Sequence, residues 1–197
     1  MVDSKKTIEK IKEEAIDNNV PIITDEGIEF LTNYIKENNI KKILEIGTAI
    51  GYSAIKMAEV SEDIEITSIE RDEKRYLEAV KNIKKVNLEN RITLIYNDAL
   101  YVSLSDKYDL IFIDAAKAQS INFFERFEKN LNDHGTIITD NMKFHGLVDK
   151  PITEITSRNV RGLVRKINNY KEFLEKNTKY KTTFFDIGDG IALSIKR

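Results

Sequence analysis

The stretch ILEIGTAIGYS, residues 43–53, decides the fold of this chain. An apolar run over residues 43–46 leads into a turn that holds Gly47 and Gly51, and a helical pattern of apolar residues follows from Ala54. Glycine lets the backbone approach a ligand closely, and a helix N-terminus presents unpaired N–H groups. This order of strand, glycine loop and helix is typical of α/β sheets that bind a nucleotide-like cofactor at their strand ends. The alternative is a tight strand-to-helix turn that binds nothing.

Strand and helix patterns alternate outward from this stretch. Strands are predicted at 42–46, 64–69, 92–96, 109–113 and 135–139, and helices at 5–18, 26–37, 52–60, 72–86 and 119–131. In the helix 72–86, the spacing predicts a buried stripe of Tyr76, Leu77, Val80 and Ile83. Alternation of this kind predicts an α/β fold with a doubly wound, Rossmann-like parallel sheet.

The C-terminal part breaks the alternation. A long helix is predicted at about 157–176, and two strands then flank Gly188-Asp189-Gly190, which predicts a β-hairpin. We therefore expect a seven-stranded mixed sheet with helices on both faces and an antiparallel C-terminal hairpin. The chain should form one domain, with a helical N-terminal cover over 1–40 and a catalytic core over 41–197.

The composition excludes several classes of protein. The chain has 197 residues, of which 41% are hydrophobic and 32% charged, a globular composition. It has no cysteine, which excludes disulfides and thiolate metal sites. No apolar run approaches the roughly 20 residues of a membrane helix, and the N-terminus lacks the apolar core of a signal peptide. We therefore expect a cytoplasmic protein without a membrane partner.

The glycine loop departs from the dinucleotide-binding pattern. G-x-G-x-x-G would place glycines at 47, 49 and 52, where the chain has Gly47, Ala49 and Tyr52. NAD is therefore disfavoured, and the looser loop suits a cofactor without a pyrophosphate. The second strand ends at Glu70, whose carboxylate can accept hydrogen bonds from ribose hydroxyls. The alternative is a surface glutamate favoured by the dipole of the next helix.

Three further strand ends carry polar residues. The third leads to Asn97-Asp98-Ala99, where an acid can meet an adenine amine, although Asn-Asp is also ordinary turn chemistry. The fourth ends at Asp114 and the fifth at Asp140-Asn141. Three oxygen ligands from two neighbouring strand ends suit Mg²⁺. Without a metal, the two carboxylates would repel each other and raise one pKa. A helix cap at Asp114 and an Asp-Asn turn are the alternatives.

These motifs together resemble the metal-dependent class I O-methyltransferases of the catechol and caffeoyl-CoA types. They occur in the family order: EIGTAIGYSAI (45–55), SIERDEKR (68–75), NDAL (97–100), FIDAAK (112–117), IITDN (137–141) and IGDGIA (187–192). The resemblance covers about Val20 to the C-terminus. It is strongest to the bacterial branch that methylates 5-hydroxyuridine at the wobble position of tRNA, giving 5-methoxyuridine. Relatives of that branch begin with a further helical stretch, so the substrate cover is expected to differ.

The resemblance implies S-adenosylmethionine as methyl donor, Mg²⁺ as metal and a homodimer. The implied donor site comprises Ile23, Glu45, Gly47, Ser53, Glu70, Asp98, Ala99 and Asp114. The implied metal ligands are Asp114, Asp140 and Asn141, and Lys117 joins Asp114 as a catalytic candidate that deprotonates the hydroxyl or stabilises the oxyanion. Ser53 as a helix cap and Lys117 as a surface lysine are the alternatives. His134 is expected to be structural, and His145 is a candidate for substrate contact.

The chemistry leaves two acceptors open. Mg²⁺ bound to a hydroxyl and its neighbouring oxygen lowers the pKa of that hydroxyl and fixes its direction for in-line attack on the methyl group. A catechol offers two hydroxyls, and 5-hydroxyuridine offers its hydroxyl beside the ring carbonyl. Both acceptors therefore fit the implied site.

A basic segment favours RNA. Residues 158–171 contain arginines and lysines but no acid, and arginines at a helix N-terminus oppose its dipole, which a phosphate partner would explain. The candidate RNA-binding residues are Lys143, Arg158, Arg161, Arg165 and Lys166, with the tRNA anticodon region as partner. A solvated basic face, a small catechol-like acceptor and a non-catalytic RNA-binding protein are the alternatives.

Overall fold

The computed structural model describes residues 4–144 and 146–197, and seven strands in this part of the chain form one central sheet. The strands are β1 Lys42–Ile46, β2 Glu65–Glu70, β3 Ile92–Tyr96, β4 Tyr108–Ile113, β5 Leu131–Thr139, β6 Tyr180–Phe185 and β7 Ile191–Lys196. Their order is β3-β2-β1-β4-β5-β7-β6. The first five are parallel, and β7 is antiparallel to both β5 and β6. The predicted mixed sheet with its C-terminal hairpin is confirmed.

Helices cover both faces of the sheet. They are α1 Ser4–Asp17, α2 Asp25–Glu37, α3 Tyr52–Ala58, α4 Glu73–Lys85, α5 Ser120–Phe127 and α6 Arg158–Lys176. Because side chains alternate along a strand, Ile43 packs with α1 to α4 on one face and Leu44 packs with α5 and α6 on the other. In the described part of the chain, none of the helices combines the length and apolar character that a transmembrane span requires.

The buried face of α4 matches the predicted stripe only in part: Ile83 is buried as predicted, but two other members are not. Leu77 is 50% exposed and Val80 is 40% exposed, whereas Ala79 and Asn82 are fully buried. The small Ala79 lies against the glycine loop at Gly51, and Asn82 Nδ2 donates to the carbonyl of Ile50 at 3.0 Å. The glycine loop thus requires a small residue and an amide on this face, so hydrophobic periodicity alone misassigned Leu77 and Val80.

The boundary between α5 and β5 is also shifted. The predicted helix 119–131 ends at Phe127, a short 3₁₀ turn follows, and β5 begins at Leu131 instead of 135. Asn130 Nδ2 donates to the carbonyls of Leu104 and Asp106 at 3.0 and 2.9 Å, which holds the turn after α5 against another loop. The first residues of β5 pair with β4 across a register shift, and periodicity could not reveal this extension.

Candidate active site

A cavity of about 300 Å³ opens at the carboxyl ends of the parallel strands. Its wall includes the glycine loop after β1, the ends of β2 and β3, the loop after β4 and the residues that precede α2. Seven of the eight residues predicted for the donor site line it: Ile23, Gly47, Ser53, Glu70, Asp98, Ala99 and Asp114. The exception is Glu45.

Gly47 lets the glycine loop approach the end of β4. Its φ is +102°, and a Cβ at this position would lie 2.2 Å from the carbonyl oxygen of Asp114. Its N–H donates to the carbonyl of Ile69 at 3.0 Å. A larger residue would therefore separate the loop from the strand end that carries Asp114, so this glycine serves packing as well as the cavity.

Glu70 joins the end of β2 to the same loop. Its Oε2 accepts a hydrogen bond from the N–H of Ala49 at 2.8 Å, and its Oε1 accepts from the N–H groups of Arg71 and Asp72 at 2.9 and 2.8 Å. A carboxylate has about four acceptor positions. Oε2 therefore keeps room for a ribose hydroxyl, as the prediction for Glu70 requires.

Glu45 lies beneath the cavity instead of on its wall. It is fully buried, and its carboxylate accepts hydrogen bonds from the hydroxyls of Ser53 and Ser68. Burial raises the pKa of Glu45 to about 7, although both serine hydrogen bonds oppose the increase. Because Ser53 lines the cavity, Glu45 can position this serine, but the structure gives it no direct contact with the cavity.

The polar residues that follow β4 and β5 lie close together: Asp114, Lys117 and Asn141 line one end of the cavity, whereas Asp140 lies behind this wall. Asp114 Oδ1 accepts a hydrogen bond from Lys117 Nζ at 2.8 Å, and Asn141 Nδ2 lies 3.5 Å from the same oxygen. Asp140 is 2% exposed, and its Oδ1 accepts from the N–H of Asn141 at 2.7 Å. Burial first, and the charge of Asp114 second, raise the pKa of Asp140 to about 6.

One oxygen of this group is unsatisfied. Asp140 Oδ2 is buried and has no hydrogen-bond partner among the described residues. In residues 4–144 and 146–197, no three acidic or histidine side chains gather as a metal cluster. The candidate set consists instead of two carboxylates and one amide, and its role as a metal site stays a prediction.

The predicted RNA-binding residues fall into two groups. Arg158 is exposed at the start of α6, and Arg165 and Lys166 are exposed near its middle. The half-buried Arg161 donates instead through Nη1 to two backbone carbonyls, those of Ile155 at 2.7 Å and Thr156 at 3.0 Å.

Lys143 also has a partner within the protein. It forms an ion pair with Asp186, in the turn between β6 and β7. His145, the candidate for substrate contact, lies outside the described residues.

The sequence profile described as O-methyltransferase matches residues 2–197. The chain belongs to this O-methyltransferase family. It is an enzyme that transfers a methyl group from S-adenosylmethionine to an oxygen atom.

Three relatives agree with this assignment. A crystal structure from Staphylococcus aureus, provisionally named a caffeoyl-CoA O-methyltransferase, is 44% identical over 96% of this chain and 92% of that chain, with a TM-score of 0.93. An O-methyltransferase from Bacillus cereus, solved in complex with S-adenosylhomocysteine, is 26% identical over 98% and 91%, with a TM-score of 0.83. A flavonoid 3′,5′-methyltransferase of Vitis vinifera is 30% identical over 95% of this chain and 82% of its own.

Sequence reasoning missed several wall residues of this methyltransferase. They include Thr48, Tyr52, Arg71, Arg75 and Phe123. Arg71 directly follows the end of β2, so the sequence could have indicated that it lies at the cavity, whereas Arg75 belongs to the first turn of α4. Phe123 comes from α5, and only the packing of that helix shows that it reaches the cavity.

Proposed function

We propose that this methyltransferase uses Mg²⁺ and methylates the 5-hydroxyl of 5-hydroxyuridine at the wobble position of tRNA, giving 5-methoxyuridine. The observation that carries the metal part is the buried, unpartnered Oδ2 of Asp140 beside Asp114. The acceptor part is supported by the exposed basic residues on α6. A tRNA substrate also fits a cytoplasmic enzyme, and the resemblance of the sequence suggests a homodimer.

The residues at the ends of β4 and β5 fit a divalent cation. Two neighbouring carboxylates, one of them buried, repel each other. The ammonium of Lys117, 2.8 Å from Asp114 Oδ1, offsets only part of their charge, because the pKa of Asp140 stays raised. Asp114, Asp140 and Asn141 would hold Mg²⁺, because carboxylate and amide oxygens are the ligands it prefers. When bound, Mg²⁺ lowers the pKa of an acceptor hydroxyl and orients it.

The other residues of the cavity would hold and cover the two reactants. Ile23 supplies an apolar wall, and Ser53, Glu70 and Asp98 offer polar groups to the donor. Lys117 lines the cavity, with its Nζ held 2.8 Å from Asp114 Oδ1. Its ammonium group can therefore stabilise the negative charge of an acceptor oxygen at this end of the cavity.

The surface for tRNA would lie at the start of α6. Arg158 is exposed in the first turn, where a cation is unfavourable for the helix dipole and favourable for phosphate. Arg165 and Lys166 are exposed further along the same helix. Because Arg161 binds the backbone of the preceding turn, we infer that it shapes this surface. Lys143 would extend the surface only if it left Asp186.

Nucleoside mass spectrometry of tRNA from cells that lack the gene tests the acceptor. We expect 5-methoxyuridine to disappear, and an unchanged level would overturn the tRNA proposal while leaving the O-methyltransferase class intact. With purified protein, Arg165→Glu should lower tRNA methylation about tenfold because it replaces attraction to phosphate by repulsion. The control is Lys181→Glu, which makes an equal change of charge on an exposed residue near the start of β6.

A small catechol-like acceptor is the second candidate function. The relatives named for caffeoyl-CoA and flavonoid substrates favour it. It predicts methylation of a catechol at a rate that Arg165→Glu leaves unchanged, together with no methylation of tRNA that carries 5-hydroxyuridine.

A further inference from the structure

The turn between β6 and β7, residues 186–190, contacts both sides of the cavity. On one side it meets the residues that precede α2, and on the other it pairs with the chain that follows β5. We propose that this turn is a positioning element of the methyl transfer, in which Gly188 sets the donor-side wall and Gly190 sets the loop after Asp140 and Asn141.

Gly188 is in close contact with Thr24. It has a φ of +55°, and a Cβ at this position would lie 2.2 Å from Thr24 Oγ1. This oxygen accepts a hydrogen bond from the N–H of Gly27 at 3.1 Å and so caps α2. The neighbouring Ile23 is buried and lines the cavity. A side chain at position 188 would therefore move Thr24 and the cavity wall with it.

Gly190 lies against the segment after the proposed metal ligands. Its carbonyl accepts from the N–H of Met142 at 2.9 Å, and the carbonyl of Asp189 accepts from the N–H of Lys143 at 2.8 Å. These bonds extend the antiparallel pairing of β5 and β7 beyond Asp140 and Asn141. A Cβ at position 190, where φ is +86°, would lie 3.0 Å from the backbone nitrogen of Lys143.

The ion pair between Lys143 and Asp186 adds a second connection between the turn and this loop. The turn therefore fixes the distance between the donor-side wall and the loop that carries Asn141. The Gly188 part of the inference rests on the methyl donor alone, whereas the Gly190 part rests on the proposed role of Asp140 and Asn141. The two parts can fail separately.

Gly146 provides a matched control. Its φ is +72°, so an alanine there has the same kind of backbone strain as at 188, but a Cβ would meet nothing within 4 Å. An effect of Gly188→Ala that Gly146→Ala lacks must therefore come from the contact with Thr24.

Calorimetric titration with S-adenosylhomocysteine tests the donor side. Gly188→Ala should weaken binding roughly tenfold, and Gly146→Ala should change it less than about twofold. In the double variant Gly188→Ala/Thr24→Ala, the clashing oxygen is gone, so affinity should return to that of Thr24→Ala alone. Gly188→Asn keeps the Cβ and adopts positive φ more readily, so it tests the same contact if the alanine variant does not fold.

Amide hydrogen exchange tests the other side. Gly190→Ala should speed exchange at Met142 and Lys143 roughly tenfold and leave the affinity for S-adenosylhomocysteine within about twofold. With the proposed tRNA acceptor, Gly190→Ala should lower kcat at an unchanged donor KM. Wild-type affinity in Gly188→Ala, no recovery in the double variant, or unchanged exchange in Gly190→Ala would overturn the corresponding part of the inference.

Discussion

At the residue scale, Glu45 makes the free energy of unfolding depend on pH. Its pKa is about 7 in the folded protein, against an ordinary value of 4.5. Between these values the folded protein keeps a proton that the unfolded chain has released, so stability falls as pH rises from about 4.5 to about 7. The difference in pKa corresponds to roughly 3 kcal/mol.

Glu45→Gln should remove this dependence, because the amide stays neutral and still accepts a hydrogen bond from one serine. We expect urea unfolding to show similar stability to wild type at pH 5 and higher stability at pH 8, by about 1–3 kcal/mol. Glu65→Gln, whose side chain is 69% exposed, is the control that should keep the wild-type dependence. A wild-type loss of stability with pH in Glu45→Gln would contradict the assignment.

Replacing Asp140 should raise the stability of the fold and abolish the activity. Its pKa is raised to about 6, so its carboxylate weakens the fold above that pH. Asp140→Asn should therefore raise the free energy of unfolding at pH 8 by about 1–3 kcal/mol, measured by urea denaturation. It should also abolish methyl transfer and any increase of the melting temperature caused by Mg²⁺. A melting temperature that still rises with Mg²⁺ would exclude Asp140 as a ligand.

The sequence predicted which residues lie at strand ends better than it predicted which of them are buried. Asp98 and Asp114 reach the cavity because parallel strands end on the same edge of the sheet. The burial of Glu45 depends on two serines from different elements, and the sequence does not show that these side chains meet. The contacts of Arg161 were missed for the same reason.

At the scale of elements, Arg161 joins the start of α6 to the preceding turn. Arg161→Ala would remove both hydrogen bonds to the carbonyls of Ile155 and Thr156, and the free energy of unfolding should fall by about 1–3 kcal/mol. Chemical denaturation measures this loss. Arg165→Ala on the same helix is exposed and should stay within about 0.5 kcal/mol of wild type. Equal effects of the two substitutions would show that the Arg161 contacts contribute little.

Periodicity predicted which segments are helices and which are strands, but it did not predict the buried face of α4 or the start of β5. The glycine loop selects Ala79 and Asn82 for the buried face of α4, where the hydrophobic pattern had selected Leu77 and Val80. The start of β5 depends on a register shift against β4, which is a property of the pair of strands. Both errors arise where a neighbouring element, and not the local sequence, decides.

At the scale of the whole molecule, donor binding should stabilise the fold. The cavity wall combines the residues before α2 with loops after β1 to β5, so unfolding destroys the site. S-adenosylhomocysteine at 100 times its Kd should add about 2.7 kcal/mol and raise the melting temperature by roughly 5–10 °C. Differential scanning fluorimetry measures the shift, with adenine alone as the control. No shift at saturating ligand would mean that the cavity does not bind the donor.

The overall topology was predictable because alternating strands and helices leave few arrangements, and the hairpin identifies the antiparallel edge. The contact between Thr24 and Gly188 was not predictable. It depends on the closure of the hairpin turn over the residues before α2, and nothing in either local sequence shows that the two segments meet.

The position of β7 has a consequence for biosynthesis. This strand follows the other six in sequence, yet it lies between β5 and β6 in the sheet. The seven-stranded sheet can therefore be completed only after β7 has been synthesised. A nascent chain that ends before residue 191 leaves the edge of β5 without its partner strand. Such an edge is a template for pairing with other chains. Chaperones that shield nascent polypeptides should therefore bind stalled forms of this protein more than the finished one.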